Sequence, residues 1–278
     1  MSGTIQERIS VVIPALDAAE TLPAALAPLR TPMVGEVIVV DGGSRDATLD
    51  IAREMGARVV TAPRGRGSQL AAGAAAAAGD WLLFLHADCR LVQSSTECEQ
   101  SFSLSPGLTR RSPAARQMAG SSPAMTAYEG NVAVSTSIAP GRGWRGAVTA
   151  FISEPHAAEC AAYFRLVLDD ERPAARRLER IVAWRCRALG LPYGDQGLLI
   201  SRKLYERVGG FAPIPLMEDV DLARRLGRRR LVTLDASCIA SARRYRHGGY
   251  WRRPLRNLLC LSLYFAGVPP RRVARLYG

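Results

Sequence analysis

Four short apolar runs, each closed by a polar or glycine-rich turn, constrain the fold more than any other feature of the chain. They are Arg8 to Pro14, Glu36 to Asp41, Arg58 to Thr61 and Trp81 to Leu85, mostly apolar or β-branched, and they read as strands, the first two buried. Between them Ala18 to Leu29, Asp46 to Met55 and Gln69 to Ala78 carry helical patterning, with Pro23 tolerated in a first turn and Gly56 as a stop. Strands that alternate with helices at this spacing need crossover connections, and crossovers make a parallel sheet. The runs show no polar alternate face, as expected when helices cover both sides. The fold class expected is therefore α/β: a Rossmann-like, mostly parallel central sheet flanked by helices. Ligands of such sheets sit beyond the carboxyl ends of the strands. Here those ends carry Pro14 to Asp17, Asp41 to Ser44, Arg64 to Gly67 and His86 to Asp88, so one site along one edge is expected.

The alternation breaks from Gln93 to Ala139, a stretch rich in Ser, Ala, Pro and Gly without clean periodicity, read as a disordered insertion. Beyond it Trp144 to Ile152, Pro173 to Leu189, Glu218 to Leu226 and Trp251 to Ala266 read as helices. Ala161 to Leu168, Leu198 to Ser201, Leu231 to Leu234 and Cys238 to Ser241 read as strands. The 278 residues suit one domain, ending in basic amphipathic helices over 251–278.

The net charge of +12 is confined to the end of the chain. Residues 1–223 hold 23 basic and 24 acidic side chains, whereas residues 224–278 hold 14 arginines against Asp235 alone. Such a block points to polyanions: diphosphates, anionic lipid or nucleic acid. A nucleic-acid binder is disfavoured, because no recognition module is visible and the block lacks regularly spaced aromatics. The C-terminal helix reads as packed on the core with its arginines wet, and the same block fits peripheral association with an anionic membrane. The six cysteines form no CxxC pair and read as buried thiols. The apolar stretch from Leu258 to Val268 falls short of the ~20 residues a spanning helix needs, and the first residues carry no signal-peptide pattern. A cytoplasmic protein is expected.

Several motifs arrive in a fixed order: Ile13-Pro14-Ala15-Leu16-Asp17, Val39-Val40-Asp41-Gly42-Gly43-Ser44, the strand ending in Asp88, then Gly209-Gly210-Phe211 and Glu218-Asp219. In this the chain resembles the family 2 glycosyltransferases of the GT-A fold. More narrowly, Leu85-His86-Ala87-Asp88, Tyr193-Gly194-Asp195-Gln196-Gly197, Pro215-Leu216-Met217-Glu218-Asp219-Val220 and Ser241-Ala242-Arg243-Arg244 resemble the subgroup called selenodomain-associated transferase 2. The resemblance covers nearly the whole chain outside 93–139. It implies a nucleotide-binding half over 1–92 and an acceptor and catalytic half over 140–250.

The resemblance implies an inverting transfer of a sugar from a nucleotide-diphosphate sugar to a hydroxyl acceptor. Asp219 takes the role of general base, and Glu218 supports it. Asp88 is implied at a Mg²⁺ or Mn²⁺ site bridging the diphosphate. The family pattern usually has two aspartates there; His86 replaces the first and reads as a hydrogen-bonded core histidine. Asp41, with Pro14, Asp17 and Gly43 around it, is implied in nucleotide binding. Arg64 and Arg66, interleaved with glycines, suit phosphate. By the subgroup motifs, Asp195 and Gln196 would hold a sugar, and Arg243 and Arg244 would meet a phosphate. Three alternatives stand beside this reading. A nucleotidyltransferase would be expected to show a glycine-rich first turn, which Pro14 to Asp17 is not. The others are a relative that binds nucleotide without turnover, and a basic nucleic-acid binder.

Overall fold

In the computed structural model, residues 8–93 and 143–277 are described, with side chains except at positions 244, 247, 248 and 277. The insertion expected over 93–139 therefore lies, Gln93 aside, outside the described residues. In chain order the elements are β1 (Ile9–Ala15), α1 (Leu22–Leu26), β2 (Val34–Asp41), α2 (Thr48–Glu54), β3 (Arg58–Thr61), α3 (Arg66–Ala76), β4 (Trp81–Phe84) and β5 (Cys89–Leu91). There follow α4 (Trp144–Ile152), β6 (Ala161–Leu168), α5 (Pro173–Leu189), β7 (Leu198–Ser201), α6 (Arg202–Arg207), α7 (Glu218–Leu226), β8 (Leu231–Ala240), α8 (Arg243–Gly248), α9 (Arg252–Phe265) and α10 (Pro270–Tyr277).

The strands form one sheet in the order β3-β2-β1-β4-β7-β6-β8-β5. β3, β2, β1 and β4 run parallel, β7 runs antiparallel to β4 and β6, β6 and β8 are parallel, and β5 closes the edge antiparallel to β8. Every residue of β1 is buried because successive side chains enter different cores. Val11 and Ile13 pack in the cluster that holds residues of α1, α4 and α5, and Val12 packs with residues of α3 and α7. Each such side chain contributes roughly 1.5–3 kcal/mol of burial. The small-residue character of α3 has a steric cause. A Cβ on Gly73 would meet Val12 Cγ1 at 2.3 Å, so the helix lies directly on the sheet.

Several expectations shift. β1 runs through Pro14 to Ala15, because β2 pairs with it to the end, Pro14 opposite Val40 and Ala15 opposite Asp41, while pairing with β4 has already ended at Val12, where a missing N–H forfeits no ladder bond. α1 starts only at Leu22: Asp17 is left-handed and the Ala18 carbonyl closes a turn with Thr21 and Leu22. The two strands expected over 231–241 are one, whose pairing with β6 shifts register between Tyr163 and Arg165. The three-residue β5 was too short to show periodicity.

The C-terminal helix departs furthest from expectation. α9 buries Cys260 and Leu261 but exposes Leu255, Leu258, Leu259 and Phe265, with Trp251 exposed just before it. Core packing takes only part of its apolar surface. No described helix is long and apolar enough to cross a membrane.

Candidate active site

The topology brings the expected strand ends to one edge of the sheet. β1, β2, β3 and β4 are parallel, so Asp17, Asp41, Arg64 and His86 to Asp88 leave the sheet on the same side. β7 is antiparallel to β4 with Leu198 opposite Phe84, which returns Gly194 to Gly197 to that edge. The end of β8 joins them, since the Ser241 N–H donates to the Asp88 carbonyl at 3.2 Å.

On the β1–β2 side the acids are bound into the loops. Asp41 is buried, and its carboxylate accepts the N–H groups of Gly43 (2.9 Å) and Ser44 (3.0 Å). Gln69 of α3 donates its amide to the carbonyls of Ala15 and Val40, tying the ends of β1 and β2 together. Asp17 has a φ of 48°, accepts the Arg45 N–H at 2.8 Å, and donates its own N–H to Ser44 Oγ. Gly43 is exposed at φ 96°, Pro14 is buried within β1, and Arg64 is exposed on the loop after β3.

On the β4–β7 side a cavity of about 480 Å³ opens, lined among others by Arg66, His86, Asp88, Asp195 and Asp219. Asp219 stands in the first turn of α7. Its Oδ2 accepts the Gly194 N–H at 3.0 Å and its Oδ1 accepts the Val220 N–H at 2.7 Å, leaving a further lone pair on each oxygen. The residue before this pair of acids, Met217, has a φ of 68°. Among the described residues only Asp17 and Met217 are non-glycine residues at positive φ, and both border this edge. Such backbone costs of order 1–3 kcal/mol and gathers at functional sites.

Glu218 is almost fully buried. Its Oε1 meets Arg66 Nε at 2.9 Å, while Oε2 has no hydrogen-bond partner. Burial pushes its carboxyl up to about 7; Arg66 opposes this and the Asp219 carboxylate adds to it. Asp195 behaves alike. Burial raises its carboxyl to about 6, Arg185 opposes the rise, Asp219 and Asp88 reinforce it, and its Oδ1 is unpartnered. Asp88, Asp195 and Asp219 therefore lie close enough to feel one another's charge. Arg185, a residue the sequence motifs did not single out, stacks on Tyr193 at 3.4 Å from the ring centroid and donates to the Leu191 carbonyl.

His86 lines the cavity instead of lying in the core. A Cβ on Gly194 would meet its Nε2 at 2.2 Å, so only glycine lets this turn close over the ring. His86, Asp88 and Cys89 each offer a ligand atom, all within 4.8 Å of one another. A hydrogen bond with Cys238, then burial, hold the Cys89 thiol well above its ordinary value, which leaves an imidazole and a carboxylate as donors. With Asp195 beside them, these donors fit a six-coordinate cation of the Mn²⁺ or Mg²⁺ kind that takes its other oxygens from water or phosphate.

The remaining expected residues divide. Gln196 does not reach the cavity: it is buried, donates to the Phe164 carbonyl and accepts from Arg185 and Tyr193, so it fixes the turn from behind. Arg243 lines a second hollow of about 530 Å³ that shares Asp88 and Ser241 with the first, and it pairs there with Glu20. The side chain of Arg244 lies outside the described residues. Asp41 lines neither hollow; it stands farther along the same edge.

Residues 10–95 match the family model for Glycosyl transferase family 2. A PGL/p-HBAD biosynthesis glycosyltransferase of Mycobacterium tuberculosis (strain ATCC 25177 / H37Ra) is 38% identical over 96 residues, 31% of this chain and 38% of that protein. An uncharacterized glycosyltransferase of Mycobacterium bovis (strain ATCC BAA-935 / AF2122/97) is 40% identical over 83 residues, 30% of this chain and 37% of that one. The chain thus spans under two fifths of the length of the curated relatives it matches. Among solved structures, glucosyl-3-phosphoglycerate synthase from Mycobacterium tuberculosis with Mn²⁺, UDP and phosphoglyceric acid superposes at a TM-score of 0.53 and 20% identity, over 95% of this chain and 80% of that one. The same synthase with Mg²⁺ and UDP gives a TM-score of 0.51 at 20% identity, over 95% and 80% of the two chains. The likeness shows the fold, which is that of GT-A glycosyltransferases.

Proposed function

We propose, for a chain whose residues 10–95 form a Glycosyl transferase family 2 domain, that the protein is an inverting glycosyltransferase. It moves a sugar from a nucleotide-diphosphate sugar to a hydroxyl acceptor. The observation that carries this reading is the convergence of Asp88, Asp195 and Asp219 on one cavity beside Arg66. The subgroup called selenodomain-associated transferase 2 is the finer assignment, and the motifs around Asp88, Asp195, Asp219 and Arg243 support it.

The acceptor hydroxyl lies against Asp219, whose free lone pairs take its proton as the oxygen attacks the anomeric carbon. Attack comes from the side opposite the leaving diphosphate, so configuration inverts. The bonding pair leaves with the nucleoside diphosphate. His86 and Asp88 would hold Mn²⁺ or Mg²⁺, which supplies positive charge to the departing phosphates. Arg66 stands on the same cavity wall, and its pairing with Glu218 fixes its guanidinium there. Asp41, Asp17 and Gly43 shape the nucleotide end. Burial raises the Glu218 carboxyl and Arg66 offsets its charge, so Glu218 supports Asp219 without setting a full second negative charge beside it.

The test is a panel of nucleotide-diphosphate sugars, UDP-sugars first, with and without Mn²⁺ or Mg²⁺. Thermal protection and release of the nucleoside diphosphate are the readouts. Metal-dependent protection and release by at least one donor are expected. Protection without release would favour a relative that only binds nucleotide, and neither would overturn the proposal.

A further inference from the structure

Among the described residues, the large apolar side chains that stand exposed all lie on α5, α9 and α10 or directly before α9. None lies on the β1–β3 half of the molecule. Trp184 is 59% exposed, Trp251 71% and Leu255 67%. Ile181, Trp184, Leu189, Trp251, Leu255 and Leu258 border one hollow, and exposed apolar side chains grouped in this way mark an interaction site.

The same helices are strongly basic. α5, α9 and α10 carry 11 arginines against the single acid Glu179, and residues 252–277 hold no acid at all. Arginines flank the exposed aromatics: the Arg177 guanidinium lies 5.7 Å from the Trp251 ring and that of Arg224 lies 5.0 Å from Phe265. With 11 arginines against one acid the face calls for a dense array of negative charge beside an apolar layer, and an anionic lipid surface offers both. Its acyl boundary takes Trp and Leu, and its phosphates take guanidinium groups from side chains long enough to reach them.

We propose that the α5–α9–α10 face docks peripherally on an anionic lipid surface. Headgroup phosphates meet the arginines, and Trp184, Trp251, Leu255 and Leu258 enter the headgroup–acyl boundary. These four side chains also wall the cavity that holds Asp88 and Asp219. An acceptor carried in the lipid surface would therefore reach Asp219 along an apolar wall. This last consequence rests on the proposed transferase activity; the docking itself does not.

The test is binding without donor or acceptor, so that its failure is separable from failure of the transferase reading. The full chain is sedimented with vesicles of phosphatidylglycerol and phosphatidylcholine in equal parts, or of phosphatidylcholine alone. Binding to the anionic vesicles should be at least about tenfold tighter and should weaken as salt rises. Tryptophan emission should shift to the blue on those vesicles alone. Leu255→Ser with Leu258→Ser, both at exposed positions, should weaken binding about tenfold or more while melting temperature stays put. Absence of binding at low salt, or equal binding to neutral vesicles, would overturn the proposal. So would a dimer in sedimentation velocity that the double variant dissociates, since a second copy would then be the occupant.

Discussion

The two ends of the site treat their acids differently. At the β1–β2 end, Asp41 is buried with its carboxylate satisfied by the Gly43 and Ser44 amides. At the β4–β7 end, Glu218 is just as deep in protein and Asp195 is half-buried, yet each keeps a buried oxygen without a partner. The first arrangement holds a loop in shape. The second holds free energy in reserve, because a buried unpaired oxygen costs about 1–3 kcal/mol until a donor or a cation reaches it. In the proposed transferase, satisfied acids would preform the nucleotide end, and under-satisfied acids would mark where charge is to arrive.

The contrast can be broken most sharply at Asp219. Asp219→Asn should lower transfer by about 10²–10⁴-fold, read by product formation, while nucleotide binding by thermal shift is unchanged. Full turnover in that variant would remove the assigned base.

Glu218→Gln tests the reserve directly. A carboxyl raised to about 7 in the folded protein adds stability that is complete below its unfolded value and is lost as pH rises through 7. The variant lacks that titration. It should match the native protein near pH 4 and gain on it between about pH 4.5 and 7, by up to about 3 kcal/mol in urea unfolding. A pH-independent difference would mean that Arg66 compensates Glu218 fully.

Mn²⁺ with a nucleoside diphosphate should stabilise the native protein by about 2.7 kcal/mol at a hundred times its dissociation constant. Asp88→Asn should lose most of that gain in a melting experiment. The smallest effect is expected at the satisfied end. Asp41→Ala should cost about 1–2 kcal/mol of stability in urea unfolding, because it removes hydrogen bonds to the Gly43 and Ser44 amides.

How much of this was legible in sequence follows from how local each cause is. Helices α4, α5 and α7 and strands β3, β6 and β7 begin and end where the residue pattern puts them, since Pro173, Gly227 and the apolar runs act on their own neighbourhoods. The convergence of Asp88 and Asp219 was legible from strand order and motif order together. The placements of the His86 and Gln196 side chains were not. Whether a polar side chain faces a cavity or the packed side of a turn depends on Gly194, Phe164 and Arg185, which approach from elsewhere in the chain. The exposure of α9 was equally hidden, because an amphipathic pattern is the same whether its apolar face meets a core or a lipid surface.

The most direct measurement is an anomalous difference map from crystals grown with Mn²⁺ and UDP. A manganese peak within coordination distance of Asp88, with the diphosphate reaching from it toward Asp41 and with Asp219 facing the space beyond, is the expected result. A peak bound elsewhere, or UDP lying away from the Asp88–Asp219 cavity, would contradict it.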